Sequence, residues 1–277
     1  MSAGQRSAWS PLTGIFPLGV RAGHTGRTGG VSAGPWAAPD GGGLNLGARC
    51  GDDPAAVRAN RARLERWLPG APVWLDQVHG VTVHRAWRVE APPSGEAASL
   101  APRTGVDPPG AEPQADAAVT DEPGLPLAIL TADCLPVLIS NREGSVVGAA
   151  HAGWRGLCAG VIEQTLAAAR ALAGGSADWI AWLGPAIGPT AFEVGDEVRD
   201  AFLGHDPRAA AGFTAGARPG KWQADLVTLA RQRLAAAGVD RVVGGGECTV
   251  ADPQRFYSFR RDRTTGRQGS FIWIDPR

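Results

Sequence analysis

Short apolar runs of strand length alternate irregularly along this chain with amphipathic stretches of helical spacing. Residues 73–75 and 81–87 read as strands flanking Asp76-Gln77-Val78-His79-Gly80. Residues 117–120, 127–130, 136–140, 145–150, 179–183, 239–243 and 271–274 read as further strands bounded by turn residues. Helical spacing runs through 55–68, 157–172, 196–203 and 224–237. Asp52-Asp53-Pro54 supply a start signal for the first helix, Gly174-Gly175 a stop for the second and Gly238 a cap for the last. Many strands follow one another without a helix between them, which predicts an α+β fold of mixed sheet with flanking helices and not a regular βαβ barrel. No internal repeat is visible.

Two stretches carry no such period. Residues 11–51 are punctuated by glycine, which suits tight turns near a bound molecule. Residues 91–113 are rich in Pro, Gly and small side chains and read as a flexible loop inserted within a domain. Residues 1–10 are expected to be flexible, and 1–277 to form a single catalytic domain.

Composition narrows the partners. A chain of 277 residues with 44% apolar residues can bury a sizeable core. Basic and acidic residues balance at 27 each, so nothing favours nucleic acid or an anionic membrane, and a small molecule is the expected partner. Residues 1–10 lack the apolar stretch of a signal peptide, and no run approaches the roughly 18 apolar residues of a membrane helix. The expected location is the cytoplasm. There, Cys50, Cys134, Cys158 and Cys248, which form no CxxC pair, are expected as free thiols acting as ligand or nucleophile.

Five histidines are present, and position separates them. His79 and His151 each follow an apolar strand, and so does Cys134, so neighbouring strand ends could bring the three donors to one pocket. Two imidazoles and a thiolate are good zinc ligands, and a set of three leaves a position open for catalysis. Their separations match no compact metal motif, and the alternative of ordinary core or surface residues stays open at this point. Arg155, in the glycine-rich turn Ala152-Gly153-Trp154-Arg155-Gly156 before a helix, could hold an anion such as phosphate or be a surface side chain. The loop around Ser32 could line a phosphate or ribose. Glu193, after the turn 184–189, could bond a ribose. Arg260, in Phe256-Tyr257-Ser258-Phe259-Arg260-Arg261, joins a group able to stack a base or bind phosphate.

Taken together, DQVHG (76–80), TADCLPVL (131–138), HAGWRG (151–156), GPAIGP with FEVG (184–195) and FYSFRR followed by TGR (256–267) resemble one family. It is the laccase-like, multicopper polyphenol oxidase family, also known as YfiH-like or peptidoglycan-editing-factor-like. The resemblance extends to GGVS (29–32), LNLG (44–47) and GDDP (51–54), and so spans nearly the whole chain. It implies an α/β/β/α layered fold, similar to the catalytic domain of cytotoxic necrotizing factor. It also implies one zinc on His79, Cys134 and His151. The implied activity is phosphorolysis of adenosine, inosine or methylthioadenosine with deamination of adenosine, in a monomer or homodimer. Asp133 and Glu193 are the carboxylates that could move protons in such a site. The chain departs from the family pattern in an enlarged 37–43 stretch and a longer 91–113 loop, both expected near the pocket.

Two other chemistries compete. A multicopper oxidase needs many histidines, usually in His-x-His pairs, and this chain has five and no such pair, though copper in the same His2Cys site could support weak oxidase activity. Alternatively, Cys134 could be the nucleophile of a cysteine hydrolase or amidase, with His79 or His151 as its base.

Overall fold

Side-chain alternation along the strands decides the layering, because every second residue of a strand faces the opposite side of its sheet. A computed structural model of the protein describes residues 8–87, 112–175 and 178–276. In chain order its elements are strands β1 (Trp9–Pro11) and β2 (Val20–Thr25), helix α1 (Pro54–Arg63), then β3 (Val83–Arg85), β4 (Ala117–Thr120), β5 (Leu127–Thr131), β6 (Leu135–Asn141) and β7 (Val147–Ala152). Helices α2 (Trp154–Ala159) and α3 (Val161–Leu172) follow, then β8 (Trp179–Leu183), β9 (Glu193–Gly195), α4 (Asp196–His205), β10 (Phe213–Ala215) and β11 (Lys221–Ala224). Last come α5 (Leu226–Ala236), β12 (Arg241–Gly244), α6 (Phe259–Asp262) and β13 (Gln268–Ile274).

The strands form a six-stranded mixed sheet in the order β12-β8-β6-β7-β4-β3, a four-stranded sheet β1-β2-β13-β5 and a small sheet β10-β11-β9. Ala118, Leu138, Val147 and Ala149 of the large sheet pack onto Val20, Ala22, Leu127, Ile129 and Ile272 of the four-stranded sheet. Their sequence neighbours Val119, Val137, Ile139 and Ala150 face the other way and pack onto Leu157, Ile162, Leu166, Leu229 and Leu234 of α2, α3 and α5. The outer face of the four-stranded sheet presents Ala128, Phe271 and Trp273 to Leu46, which precedes α1, and to Leu64 and Leu68, in and just after the short helical turn that follows α1. The order is therefore helix, sheet, sheet, helix, as the resemblance implied. Among the described residues no helix is long and apolar enough to cross a membrane.

Several local expectations are corrected. Trp9–Pro11 are paired with β2, so order begins within the segment expected to be flexible. Residues 73–75 form only an isolated bridge, Val73 to Leu127. The long helix expected over 157–172 starts earlier and is broken in two at Gly160, whose φ of 102° is left-handed and open to glycine at little cost. The 91–113 loop lies, except for its last two residues, outside the described residues.

Candidate metal centre

The β5–β6 connection joins the two large sheets, and Cys134 sits in it. His151 is near the end of β7, in register with Pro136 at the start of β6, so both donors reach the same end of the sandwich. His79 arrives from the turn before β3. The ligand atoms of His79, Cys134 and His151 all lie within 4.8 Å of one another, and no other such group of three or more donors occurs among the described residues. The Cys134 Sγ is 3.7 Å from His79 Nε2, and the two imidazole rings meet edge to face with centroids 4.7 Å apart. His79 is exposed, Cys134 half-buried and His151 buried.

Asp116, which the sequence did not single out, organises this approach. Its Oδ1 accepts a hydrogen bond from His151 Nδ1 at 2.8 Å and another from the His79 backbone N–H at 2.9 Å. Its Oδ2 accepts from the N–H groups of Gly80 (2.6 Å) and Val78 (3.2 Å). One buried carboxylate thus holds the turn that carries His79 and leaves Nε2 of His151 free to act as a donor atom, the usual arrangement of a carboxylate behind a metal-ligating histidine. His79 has a φ of 64°, left-handed for a residue with a Cβ. That conformation costs about 1–3 kcal/mol and persists where surrounding bonds over-determine it, as the Asp116 clamp does. Burial raises the Asp116 carboxyl, but the hydrogen bonds from His151 and from the Gly80 and His79 N–H groups outweigh it and hold it below its ordinary range.

Two glycines let the parts come so close. A Cβ at Gly153 would lie 2.9 Å from the Cys134 sulfur and 3.0 Å from the His79 ring, and one at Gly156 would lie 2.7 Å from the Gly80 carbonyl oxygen. Gly153→Ala is therefore expected to spread the donors and weaken metal affinity by about tenfold or more, in the range seen when the surroundings of a ligand set are disturbed. The melting temperature of the metal-free protein should change little. A competition titration with a chromogenic chelator measures the affinity, and an unchanged value would show that the close approach is immaterial.

The donors also polarise one another. Burial opposes charge on Cys134, yet the positive His151 beside it and hydrogen bonds from both histidines lower its thiol to about 6. Burial likewise opposes charge on His151, but the thiolate and Asp116 raise its imidazole to about 9. Between these values the pair is a thiolate and an imidazolium. A metal must then displace one proton, from His151, between about pH 6 and 9, and a second, from Cys134, below about 6. Apparent affinity should rise about tenfold per pH unit across the upper window, more steeply below it, and level off above about 9. Calorimetry at pH 7.5 in buffers of different ionisation enthalpy should count about one proton released per metal from this pair; a count of zero would contradict the ion pair.

A cavity of about 560 Å³ opens on the three donors, within the usual range for small-molecule sites. Arg155 and Arg260 line it with Trp154, Phe192 and Phe259. Arg155 lies over the Trp154 ring and Arg260 over the Phe192 ring, at 4.7 and 5.2 Å from the centroids. Also on its lining, Arg49 pairs with Asp76 and Arg61 with Glu112.

Of three further expected site residues, two lie off the cavity lining and one is on it. The Ser32 side chain is buried away from the cavity, donating to Asp52 at 2.6 Å and accepting from Asn60. Glu193 points its carboxylate at Arg218, 2.7 Å away, and does not line the cavity. Asp133 does line it, and one carboxylate oxygen accepts from Thr249 Oγ1 and the other from the Arg260 N–H, both at 2.6 Å, so the side chain ties the Cys134 turn to α6. No residue of the enlarged 37–43 stretch lines the cavity.

This layered fold is shared with known proteins. The family model described as multi-copper polyphenol oxidoreductase laccase matches residues 21–275. The chain belongs to this family. Purine nucleoside phosphorylase YfiH of Escherichia coli is 48% identical over 93% of this chain and 95% of its own length. A purine nucleoside phosphorylase of Pseudomonas aeruginosa is 47% identical over 97% and 99%. Among solved structures, YlmD of Geobacillus stearothermophilus superposes with a TM-score of 0.82 at 32% identity, covering 98% of both chains, and a Neisseria meningitidis protein with a TM-score of 0.82 at 40% identity, covering 98% of this chain and all of its own. The laccase of the family's description asks for several copper sites. In this laccase-like chain His24 is buried against Trp182, His84 lies on β3 and His205 ends α4, apart from the one donor group that the described residues contain.

Proposed function

We propose that this chain, working as one catalytic domain, is a zinc-dependent purine nucleoside phosphorylase that accepts adenosine, inosine or methylthioadenosine and also deaminates adenosine. The observation that carries the reading is the meeting, in one cavity, of a His2Cys donor set with two arginines, Arg155 and Arg260. The names of the Escherichia coli and Pseudomonas aeruginosa relatives support the substrate class.

The donor set suits zinc: two imidazoles and a thiolate, one imidazole fixed by a carboxylate, with fewer protein ligands than a closed structural site needs. Bound there, zinc supplies Lewis acidity and an activated water at neutral pH. Arg155 and Arg260 hold phosphate, since a guanidinium fork matches its oxygens. The apolar wall of Trp154, Phe192 and Phe259 receives the nucleoside and excludes water from it.

Metal-analysed protein incubated with adenosine, with and without phosphate, tests the proposal. Adenine and ribose 1-phosphate formed only with phosphate identify phosphorolysis, and inosine identifies deamination. Absence of all three products overturns the purine assignment, and copper in place of zinc would reopen the oxidase reading.

One observation favours a second reading. His151 bridges Cys134 and Asp116, the order of nucleophile, base and orienting acid in a cysteine hydrolase, with the thiol lowered to about 6. Protein purified without stoichiometric metal, together with an acyl group trapped on Cys134, would decide for that chemistry.

A further inference from the structure

The sequence Phe256-Tyr257-Ser258-Phe259-Arg260 leaves the core abruptly. Phe256, Tyr257 and Ser258 are buried, while Phe259 is 49% exposed, against 8% or less for Phe192, Phe202, Phe213, Phe256 and Phe271. Burying a phenylalanine is favourable by about 1.5–3 kcal/mol, so a ring left in solvent at a cavity wall calls for a reason. Phe259 lines the same cavity as the His2Cys group.

Its position is fixed from several sides. The Ser258 side chain caps α6 by accepting from the Arg261 N–H, and Asp133, next to Cys134, accepts from the Arg260 N–H at 2.6 Å. The helix ends at Arg263, whose left-handed φ of 63° is accompanied by a guanidinium 6.0 Å from the Phe259 ring centroid. Asp133 is itself left-handed at a φ of 96°. Backbone strain of this kind collects where a side chain must be presented in one place. The ring is therefore an exposed aromatic surface whose backbone is tied directly to the turn that carries Cys134.

We propose that Phe259 is the platform on which the flat base of the nucleoside lies. The inference rests on the purine nucleoside reading above and names the side chain that recognises the base. Stacking tolerates any base because each has a π face, which suits an enzyme accepting both adenine and hypoxanthine nucleosides.

Equilibrium dialysis with inosine in the absence of phosphate measures binding without turnover, and phosphorolysis kinetics on the same proteins separate the two substrates. Phe259→Ala and Phe259→Leu are expected to weaken inosine binding about tenfold to a hundredfold, and to raise KM for the nucleoside correspondingly. Phe259→Tyr should retain wild-type binding, and KM for phosphate should not move in any variant. Because the ring is half in solvent, the melting temperatures should stay near that of the wild type. Loss in Phe259→Ala with retention in Phe259→Leu would replace stacking by mere apolar bulk and overturn the proposal, as would equal inosine binding in all variants. If the wild type binds inosine and only the variants fail to differ, the nucleoside reading stands; if the wild type neither binds nor converts any purine nucleoside, both fall.

Discussion

On the proposed zinc-dependent phosphorylase function, replacing Cys134 with serine is expected to empty the metal centre and to slow phosphorolysis by on the order of a thousandfold, while leaving the fold intact. The thiolate is one of three donors, and a serine hydroxyl is too weakly acidic to replace it as an anion. The loss of rate follows from the loss of several kcal/mol of charge stabilisation that a metal provides in the transition state, at about 1.4 kcal/mol per factor of ten. The fold should survive because Cys134 is half-buried and belongs to none of the apolar clusters that hold the sheets and helices together. Activity alone does not distinguish a ligand from a nucleophile, so metal content is the deciding measurement. Cys134→Ser should carry far less than one metal per chain by mass spectrometry, and His79→Ala, which removes an exposed donor, should do the same. Full metal occupancy in both variants would remove the trio from the metal site, and retained turnover in Cys134→Ser would remove it from the chemistry.

How far the sequence revealed this centre depends on where each residue sits. The runs at 117–120 and 179–183 coincide with β4 and β8 because both strands are buried on both faces and bounded by turn residues. β2 was hidden because Gly23 interrupts its run and its flanks are glycine-rich. Its Gly23 is needed, since a Cβ there would lie 2.2 Å from the Trp9 ring. The short strands β9, β10 and β11 pair only with each other, and a strand of three or four residues has too little period to stand out. At the site, the donors were legible as rare residue types beside strands, whereas Asp116 was not. Its role depends on meeting, across 35 residues of sequence, a histidine on the neighbouring strand β7 and a turn from elsewhere. Asp133, Glu193 and Ser32 show the opposite difficulty. The Asp133 oxygens accept from Thr249 Oγ1 and the Arg260 N–H, Glu193 Oε1 pairs with Arg218, and the Ser32 hydroxyl is bonded to Asp52 and Asn60. Sequence places a polar group near a pocket without telling which of its bonds are already made.

Asp116→Ala should be the most damaging change outside the donors themselves. It would leave the N–H groups of Val78, His79 and Gly80 and the Nδ1 of His151 without their acceptor, around a side chain that is 0% exposed. Removing one partner from a buried charged network costs about 3–5 kcal/mol, or roughly 5–15 °C in melting temperature for a domain of this size. Metal affinity should fall a further ten- to hundredfold as the His151 ring loses its orientation and the His79 turn relaxes from its left-handed backbone. Asp116→Asn is the sharper probe, because it keeps the volume and one acceptor but turns an NH2 group toward donors that the carboxylate satisfied. The pH dependence carries the sign. The Asp116 carboxyl is held below its ordinary value of 3.8, so its stabilisation is fully present above that value and fades as pH falls through the lower folded-state value. The gap in stability between wild type and Asp116→Ala should therefore be wide at neutral pH and narrow in strong acid. Denaturant melts of the metal-free proteins across that range measure it. A gap that stays constant or widens in acid would mean that the carboxylate is not the acceptor that holds the His79 turn, and the centre would then need another origin for the strained backbone that presents its outermost ligand.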